Sequence, residues 1–184
     1  MEMNPDLKAI LRRLVEMKEP EIVLRGKVGG EMESYVFWAF AYLRSIGSPD
    51  ILIMIDSGGG DSDCGHEIYD VIRLYKGKTT GLSIADVHSA ASMIMQGCDH
   101  RQMTLHARMV IHNPSRSSVS LDTLESSKKH DALVTSLRSY QKALIRCYMD
   151  RTKKTEQVIK KQLAQDQPMT AEQALSFGLI DEIV

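Results

Sequence analysis

Five apolar residues in succession, Ile51-Leu52-Ile53-Met54-Ile55, run directly into Asp56-Ser57-Gly58-Gly59-Gly60-Asp61. A short run that is apolar at every position and bounded by turn formers suits a strand buried on both faces of a parallel sheet. A helical pattern follows at once through Cys64, Ile68, Val71, Ile72 and Leu74, and Lys76-Gly77 stops it. A second β-branched run, Thr79 to Ile84, then leads through Ala85-Asp86-Val87-His88-Ser89 into a small, apolar helical stretch, Ala90 to Met95. Two strand–helix units in a row call for right-handed crossovers and a parallel sheet flanked by helices. The expected fold class is therefore α/β.

The flanking segments fit that frame. Asn4 to Lys18 reads as a short amphipathic helix, with Asn4 as cap, Pro5 in the first turn, and Leu7, Ile10, Leu11 and Leu14 on one face. Glu21 to Val28 reads as a strand that Gly29-Gly30 breaks, and Met32 to Ile46 as a helix with Trp38 in the core. Gln102 to Leu105 and Arg108 to His112 are two short strands, the second ended by Asn113-Pro114. After the polar loop Ser115 to Ser120, one long helix is expected from Leu121 to about Arg151. Its buried stripe is Leu133, Val134, Leu137, Tyr140, Leu144 and Cys147. At about 1.5 Å per residue it runs about 45 Å, so part of it projects from a compact domain. A helix from Glu156 to Leu163, a turn at Asp166-Gln167-Pro168, a helix capped by Thr170 and a closing Leu179 to Val184 complete the chain. The expected organisation is an N-terminal helical segment, 1–20, and a single domain, 21–184.

Charge and cysteine content exclude several function classes. With a net charge of −1, the chain lacks the basic excess of a nucleic-acid or anionic-membrane binder. Cys64, Cys98 and Cys147 are odd in number and widely spaced, which reads as reduced thiols and not as a disulfide frame. The first twenty residues contain no long apolar run, so neither a signal peptide nor a membrane span is expected, and the expected location is the cytoplasm. No Gly-Lys-Ser/Thr follows the glycines, which argues against a nucleotide P-loop. His66, His88, His100, His106 and His130 share no metal-ligand spacing, so no metal and no cofactor are expected.

The strand-to-helix corner is where chemistry is expected. A helix N-terminus offers free N–H groups and a positive dipole end, a setting suited to a nucleophilic serine. Ser89 stands there, and Ser92 is its rival one turn later. His112 at a strand end is a candidate base, although histidines in such places are usually hydrogen-bonded structural residues. Asp166 is by default a turn former. Gly58-Gly59-Gly60 is either a tight turn or a loop whose backbone N–H groups approach a ligand.

The order of the motifs adds to these single signals. It runs Ile55-Asp56-Ser57-Gly58-Gly59-Gly60, Gly65 with Ile68-Tyr69-Asp70, Ser89-Ala90-Ala91, and Met109-Val110-Ile111-His112-Asn113-Pro114. It closes with Asp166 and Met169-Thr170-Ala171-Glu172-Gln173-Ala174-Leu175-Ser176-Phe177-Gly178-Leu179-Ile180-Asp181-Glu182-Ile183. From about Glu21 to Val184 this resembles the proteolytic subunit of the Clp protease family, and more closely its phage and prophage members. The resemblance implies a Clp/crotonase-like fold with a protruding handle helix, and a serine endopeptidase that needs no cofactor. Ser89, His112 and Asp166 would form its triad, and the N–H groups of Gly60 and Ala90 would hold the oxyanion. Peptides or unfolded proteins would be cleaved inside a homo-oligomeric ring, with rings stacking through the handle and an AAA+ ATPase as partner. Ala90-Ala91-Ser92-Met93 repeats letters found around the nucleophile of housekeeping members. Ser92, however, shortens the path to His112 and places its hydroxyl inside the helix, whereas Ser89 keeps the spacing to Gly60 and His112.

The chain departs from the family at three places. Met1 to Pro20 has no counterpart of the axial-loop segment. Ser115-Arg116-Ser117-Ser118 replaces a loop that often carries glycines, and Gln167 stands where many members have arginine. Three rival readings remain at this point: a phage head-maturation protease, a crotonase-type acyl-CoA enzyme, and a non-catalytic ring subunit.

Overall fold

The computed structural model describes residues 20–116 and 118–184. The helix expected over Asn4 to Lys18 lies outside the described residues. From there the chain alternates as β1 (Glu21–Arg25), α1 (Gly30–Ser45), β2 (Ile51–Ser57), α2 (Ser62–Arg73), β3 (Thr79–His88), α3 (Ala90–Gly97) and β4 (His100–Met103). The four strands lie side by side in chain order, and every neighbouring pair is parallel. Because right-handed crossovers step in one direction, α1, α2 and α3 fall on one face of the sheet.

Burial follows that geometry and corrects the expectation for β2. Ile51, Ile53, Ile55 and Ser57 are buried, whereas Leu52, Met54 and Asp56, on the opposite face, are only half-buried. In register, Val23 and Leu82 flank Met54 on that second face, and Val23 is 48% exposed. An all-apolar run signals low polarity on both sides of a strand; it does not say that the same chain covers both.

β3 carries two extra residues beside β2, since Ile55 pairs with Ser83 but Ser57 with Val87. Such a bulge bends the strand. Before the bend β3 pairs with β2 and β4. Beyond it, Asp86 to His88 pair with β5 (Arg108–Val110), so the end of β3 is passed to a second partner. That bend sets the exit at which Ser89 stands.

The expected long helix is two helices, α4 (Leu121–Glu125) and α5 (Ser127–Thr152). Ser126 breaks it with φ −88° and ψ 108°, and its side chain caps α5. Local hydrogen bonding by serine competes with the helix there. Only Ile145, Cys147 and Tyr148 of α5 are buried; Leu133, Val134, Leu137, Tyr140 and Leu144 are half-buried. The expected stripe is thus anchored at its C-terminal end, and the rest of α5 leaves the core.

α6 (Glu156–Leu163), α7 (Ala171–Phe177) and β6 (Glu182–Ile183) follow, with β6 parallel to β4. Arg101, 4% exposed, pins this last segment. Its guanidinium donates twice to Asp181 (2.9 and 2.6 Å), to Gln96 Oε1 (2.5 Å) and to the Gly178 carbonyl (3.0 Å). One apolar cluster extends from Ile22 to Ile180. Among the described residues no helix is long and apolar enough to cross a membrane.

Candidate active site

Ser89 sits where β3 ends and α3 begins. Its N–H donates to the Val110 carbonyl (2.9 Å), tying the corner to β5. Its backbone, at φ 54° and ψ −125°, lies in a region that residues with a side chain rarely adopt. It stands at the N-cap position, yet its side chain makes no cap bond. The hydroxyl instead borders a cavity shared with Gly60, Ala90, Met93 and His112.

The glycine loop packs against this corner. A Cβ on Gly59, at φ +88°, would lie 2.6 Å from Ser89 Cβ and 2.7 Å from the His88 carbonyl oxygen. Ser57 fixes the loop by accepting from Gly59 N–H (3.1 Å) and donating to the Gly26 carbonyl (2.5 Å). Val28 pairs with the loop through its neighbours: Val28 N–H donates to Gly59 O and Asp61 N–H donates to Val28 O, both at 2.9 Å. In a parallel bridge of this kind the central residue's own groups face the other way. The Gly60 N–H is therefore turned from Val28, and Gly60 borders the cavity. A Cβ on Gly60 would meet Val28 O at 2.2 Å. Ala90, the first residue of α3, carries one of the N–H groups that a helix leaves without an internal acceptor. Gly60 and Ala90 thus line the same cavity as Ser89.

Ser92 is fully buried. Its hydroxyl donates to the Ser89 carbonyl (2.6 Å), so the Tyr148 hydroxyl, 2.7 Å away, must donate to it. Burial pushes the Tyr148 phenol well above its ordinary pKa, which keeps it a donor. Ser92 thus joins α3 to α5 and does not border the cavity.

His112 follows β5 and borders the cavity beside Ser89. Its Nδ1 lies 2.7 Å from the Asn113 carbonyl oxygen. A carbonyl only accepts, so Nδ1 carries the proton and Nε2 is left as the acceptor, the form a general base requires. Asn113 is itself held by α5, since Gln141 Nε2 donates to Asn113 Oδ1 (2.7 Å).

Asp166 is not brought to His112. It is exposed, at φ 48°, with no hydrogen bond or ion pair for its side chain among the described residues. Nearby, Met109 and Met169 exchange both backbone hydrogen bonds in an antiparallel bridge (3.1 and 2.8 Å). Continued by three residues, that register would set Asp166 opposite His112, but the turn at 165–168 leaves it.

His66, on α2, borders the same cavity. From the sequence it is only one of five histidines without ligand spacing. Asp61 caps α2 by accepting from Asp63 N–H (2.9 Å) and Cys64 N–H (3.1 Å). That fixed start puts Ser62 and His66, four residues apart, on one face, and the cap was the available signal. The thiols offer no competing nucleophile. Burial pushes the Cys98 and Cys147 thiols up to about 12, and burial together with the Glu33 carboxylate does the same for Cys64. Among the described residues no three His, Cys, Asp or Glu side chains gather as a metal-binding group.

The sequence matches the Clp protease family over residues 5–184. The chain belongs to the Clp protease family. Among its relatives, the ATP-dependent Clp protease proteolytic subunit 1 of Protochlamydia amoebophila is 32% identical over 148 residues, 77% of this chain and 68% of that protein. The subunit 1 of Chlamydia muridarum is 29% identical over 147 residues, 77% of this chain and 73% of its own length. The proteolytic subunit of Chlorella vulgaris is 27% identical over 135 residues, 72% of this chain and 65% of that protein. Family membership carries the class expected from the motifs, a serine peptidase on an α/β core. It favours neither an acyl-CoA enzyme, nor a head-maturation protease, nor a non-catalytic subunit.

Proposed function

We propose that this chain is a serine endopeptidase that hydrolyses peptide bonds through Ser89, His112 and Asp166. One observation carries the reading. Ser89 with no side-chain cap bond, His112 with its Nδ1 held by a carbonyl, Gly60 and Ala90 line one cavity. In the proposed reaction Ser89 Oγ forms a bond to the substrate carbonyl carbon and passes its proton to His112 Nε2. The carbonyl oxygen takes the negative charge and is met by the N–H groups of Gly60 and Ala90. As the C–N bond breaks, His112 returns that proton to the leaving amine, and water repeats the cycle on the acyl-enzyme. Asp166 would take the Nδ1–H from the Asn113 carbonyl and stabilise the imidazolium, which requires the turn at 165–168 to close towards His112.

The rest of the reading is coarser. Residues 21–184 are taken as one peptidase domain following the 1–20 segment; the single core from Ile22 to Ile180 supports this. A ring-forming homo-oligomer, with rings that stack, is supported by the half-covered sheet face at Val23, Met54 and Leu82 and by the projecting part of α5. An AAA+ ATPase as partner, unfolded proteins as substrates and the cytoplasm as location rest on the family resemblance; three free thiols suit a reducing compartment. The kinship with phage and prophage members rests on motif order alone.

A fluorophosphonate probe with peptide mass spectrometry tests the assignment. Label is expected on Ser89 in the wild type and in Ser92→Ala, and none in Ser89→Ala. Label retained in Ser89→Ala and lost in Ser92→Ala overturns it. Light scattering behind a sizing column tests the ring, and a monomer alone would contradict it.

A further inference from the structure

Beside Ser89, the first two turns of α2 present a donor and an acceptor that the reaction does not use. His66 Nδ1 lies 2.7 Å from the Ser62 carbonyl oxygen, so Nδ1 is protonated and Nε2 holds a lone pair. That Nε2 is buried and has no hydrogen-bond partner among the described residues. A buried acceptor left unpaired is costly, which is the usual sign of a missing ligand or water. The Ser62 hydroxyl, bordering the same cavity, makes no hydrogen bond among the described residues either. Of the other polar side chains there, the Tyr140 hydroxyl donates to Asp63 (2.8 Å), the Tyr148 hydroxyl donates to Ser92, and Ser115 is exposed and so can be satisfied by water. Met93, Leu144 and Pro114 supply apolar walls.

We infer that His66 and Ser62 form a specificity subsite for a side-chain carboxamide, so that the chain favours peptides with glutamine, or asparagine, at the residue whose carbonyl Ser89 attacks. The amide NH2 donates to His66 Nε2, and the Ser62 hydroxyl donates to the amide oxygen. The apolar stem lies against Met93 and Leu144. An ammonium fits worse, because one lone pair satisfies one of its three donors and the remainder of the charge stays desolvated. A carboxylate fits worse because it brings no proton for Nε2. An apolar side chain fills the space but leaves Nε2 unpaired.

This inference rests on the peptidase reading above. Its test uses the full chain and peptides identical except at that residue, carrying glutamine, methionine of similar shape, or glutamate. The quantity read is the ratio of kcat/KM between peptides within each variant, which cancels changes in overall activity. The wild type is expected to favour glutamine over methionine about tenfold, with glutamate below both. His66→Leu is expected to reverse that order, and Ser62→Ala to shrink the ratio to about threefold. Methionine cleaved as well as glutamine by the wild type, or a ratio unmoved by His66→Leu, overturns the subsite while leaving the peptidase intact. Cleavage of no peptide, with no fluorophosphonate label, overturns both.

Discussion

The corner that holds Ser89 and the turn that holds Asp166 are built in opposite ways. At the corner the backbone is held from several sides. The Val110 carbonyl accepts from the Ser89 N–H, Gly59 lies too close to Ser89 to admit a Cβ of its own, and Ser57 ties the loop to Gly26. The helix behind it, Ala90 to Gly97, is buried throughout. A surround of this density can hold a serine at φ 54°. The Asp166 turn is exposed on its whole length, and its neighbour Gln165 makes one local bond, to Gln162 O (3.1 Å). The proposed nucleophile and oxyanion donors are therefore positioned by the fold of a single chain, whereas the proposed acid depends on a segment that the core does not hold.

Three substitutions at two residues probe the contrast where it is largest. Ser89→Ala is expected to lower peptidase activity about 10⁵-fold with the urea midpoint nearly unchanged, since among the described residues the Ser89 side chain makes no cap bond. Ser89→Gly, equally inactive, is expected to be about 1 kcal/mol more stable than Ser89→Ala, because glycine accepts that backbone without strain. Equal stability of the two would mean that the corner stores no strain. Asp166→Asn is expected to lower kcat about 10⁴-fold through loss of the imidazolium's partner, with stability unchanged within about 0.5 kcal/mol. Activity kept within tenfold would show that the Asn113 carbonyl suffices to orient His112, and the comparison would lose one of its sides.

The next effects concern the fold. Gly59→Ala is expected to cost about 3 kcal/mol or more, as an added methyl meets Ser89 Cβ at 2.6 Å and the backbone is left-handed. Gln167→Ala, at an exposed residue next to Asp166, is expected to be neutral in denaturant unfolding. Asp181 contrasts with Asp166 as a carboxylate the core does hold. Partial burial works against its charge, but the Arg101 hydrogen bonds and positive charge win and hold its pKa below the ordinary value. Asp181→Asn leaves Arg101 buried without its counter-charge, and about 2 kcal/mol is expected to be lost at neutral pH, a figure reduced for the solvent that reaches Asp181. Because the folded-state pKa is depressed, this contribution is complete above about pH 4, the ordinary aspartate range. It fades as pH falls further, through the folded value. The acid limb of wild-type unfolding should therefore be steeper than that of Asp181→Asn.

Much of this contrast has a physical reason to be readable or hidden in the sequence. Ile51 to Ile55, the glycines and the small residues after Ser89 are local signals of strand, turn and helix start, and the elements stand where those signals put them. The proposed oxyanion donors follow from the same signals, since a helix N-terminus and a glycine loop expose N–H groups wherever they occur. The bulge between Ser83 and Val87 is different: it depends on which strand β3 meets next, and no residue in Ile84 to Asp86 announces it. Ser126 has no glycine or proline beside it, so the sequence does not mark the break between α4 and α5. The bond that fixes the His66 tautomer is to a main-chain carbonyl, which every residue has. Asp166 is legible by motif order but not by geometry, because its place is left open by the turn that carries it.

The smallest expected effect distinguishes the two serines of the corner. Ser92→Ala removes a hydroxyl that accepts from Tyr148 and donates to Ser89 O. Tyr148 is fully buried, so its hydroxyl is left without an acceptor, and a loss of about 1–2 kcal/mol is expected. Tyr148→Phe is expected to cost about 1 kcal/mol, since Ser92 keeps its bond to Ser89 O. The double variant should cost less than the two single losses together, because neither partner then remains unsatisfied. Fluorophosphonate labelling should continue at Ser89 in all three, as their hydroxyls do not touch the reacting atoms. Additive losses would mean that Ser92 and Tyr148 do not pair. A folded Ser92→Ala protein that takes no label would move the nucleophile one turn into α3, to the position at which the helix dipole and the cavity offer it least.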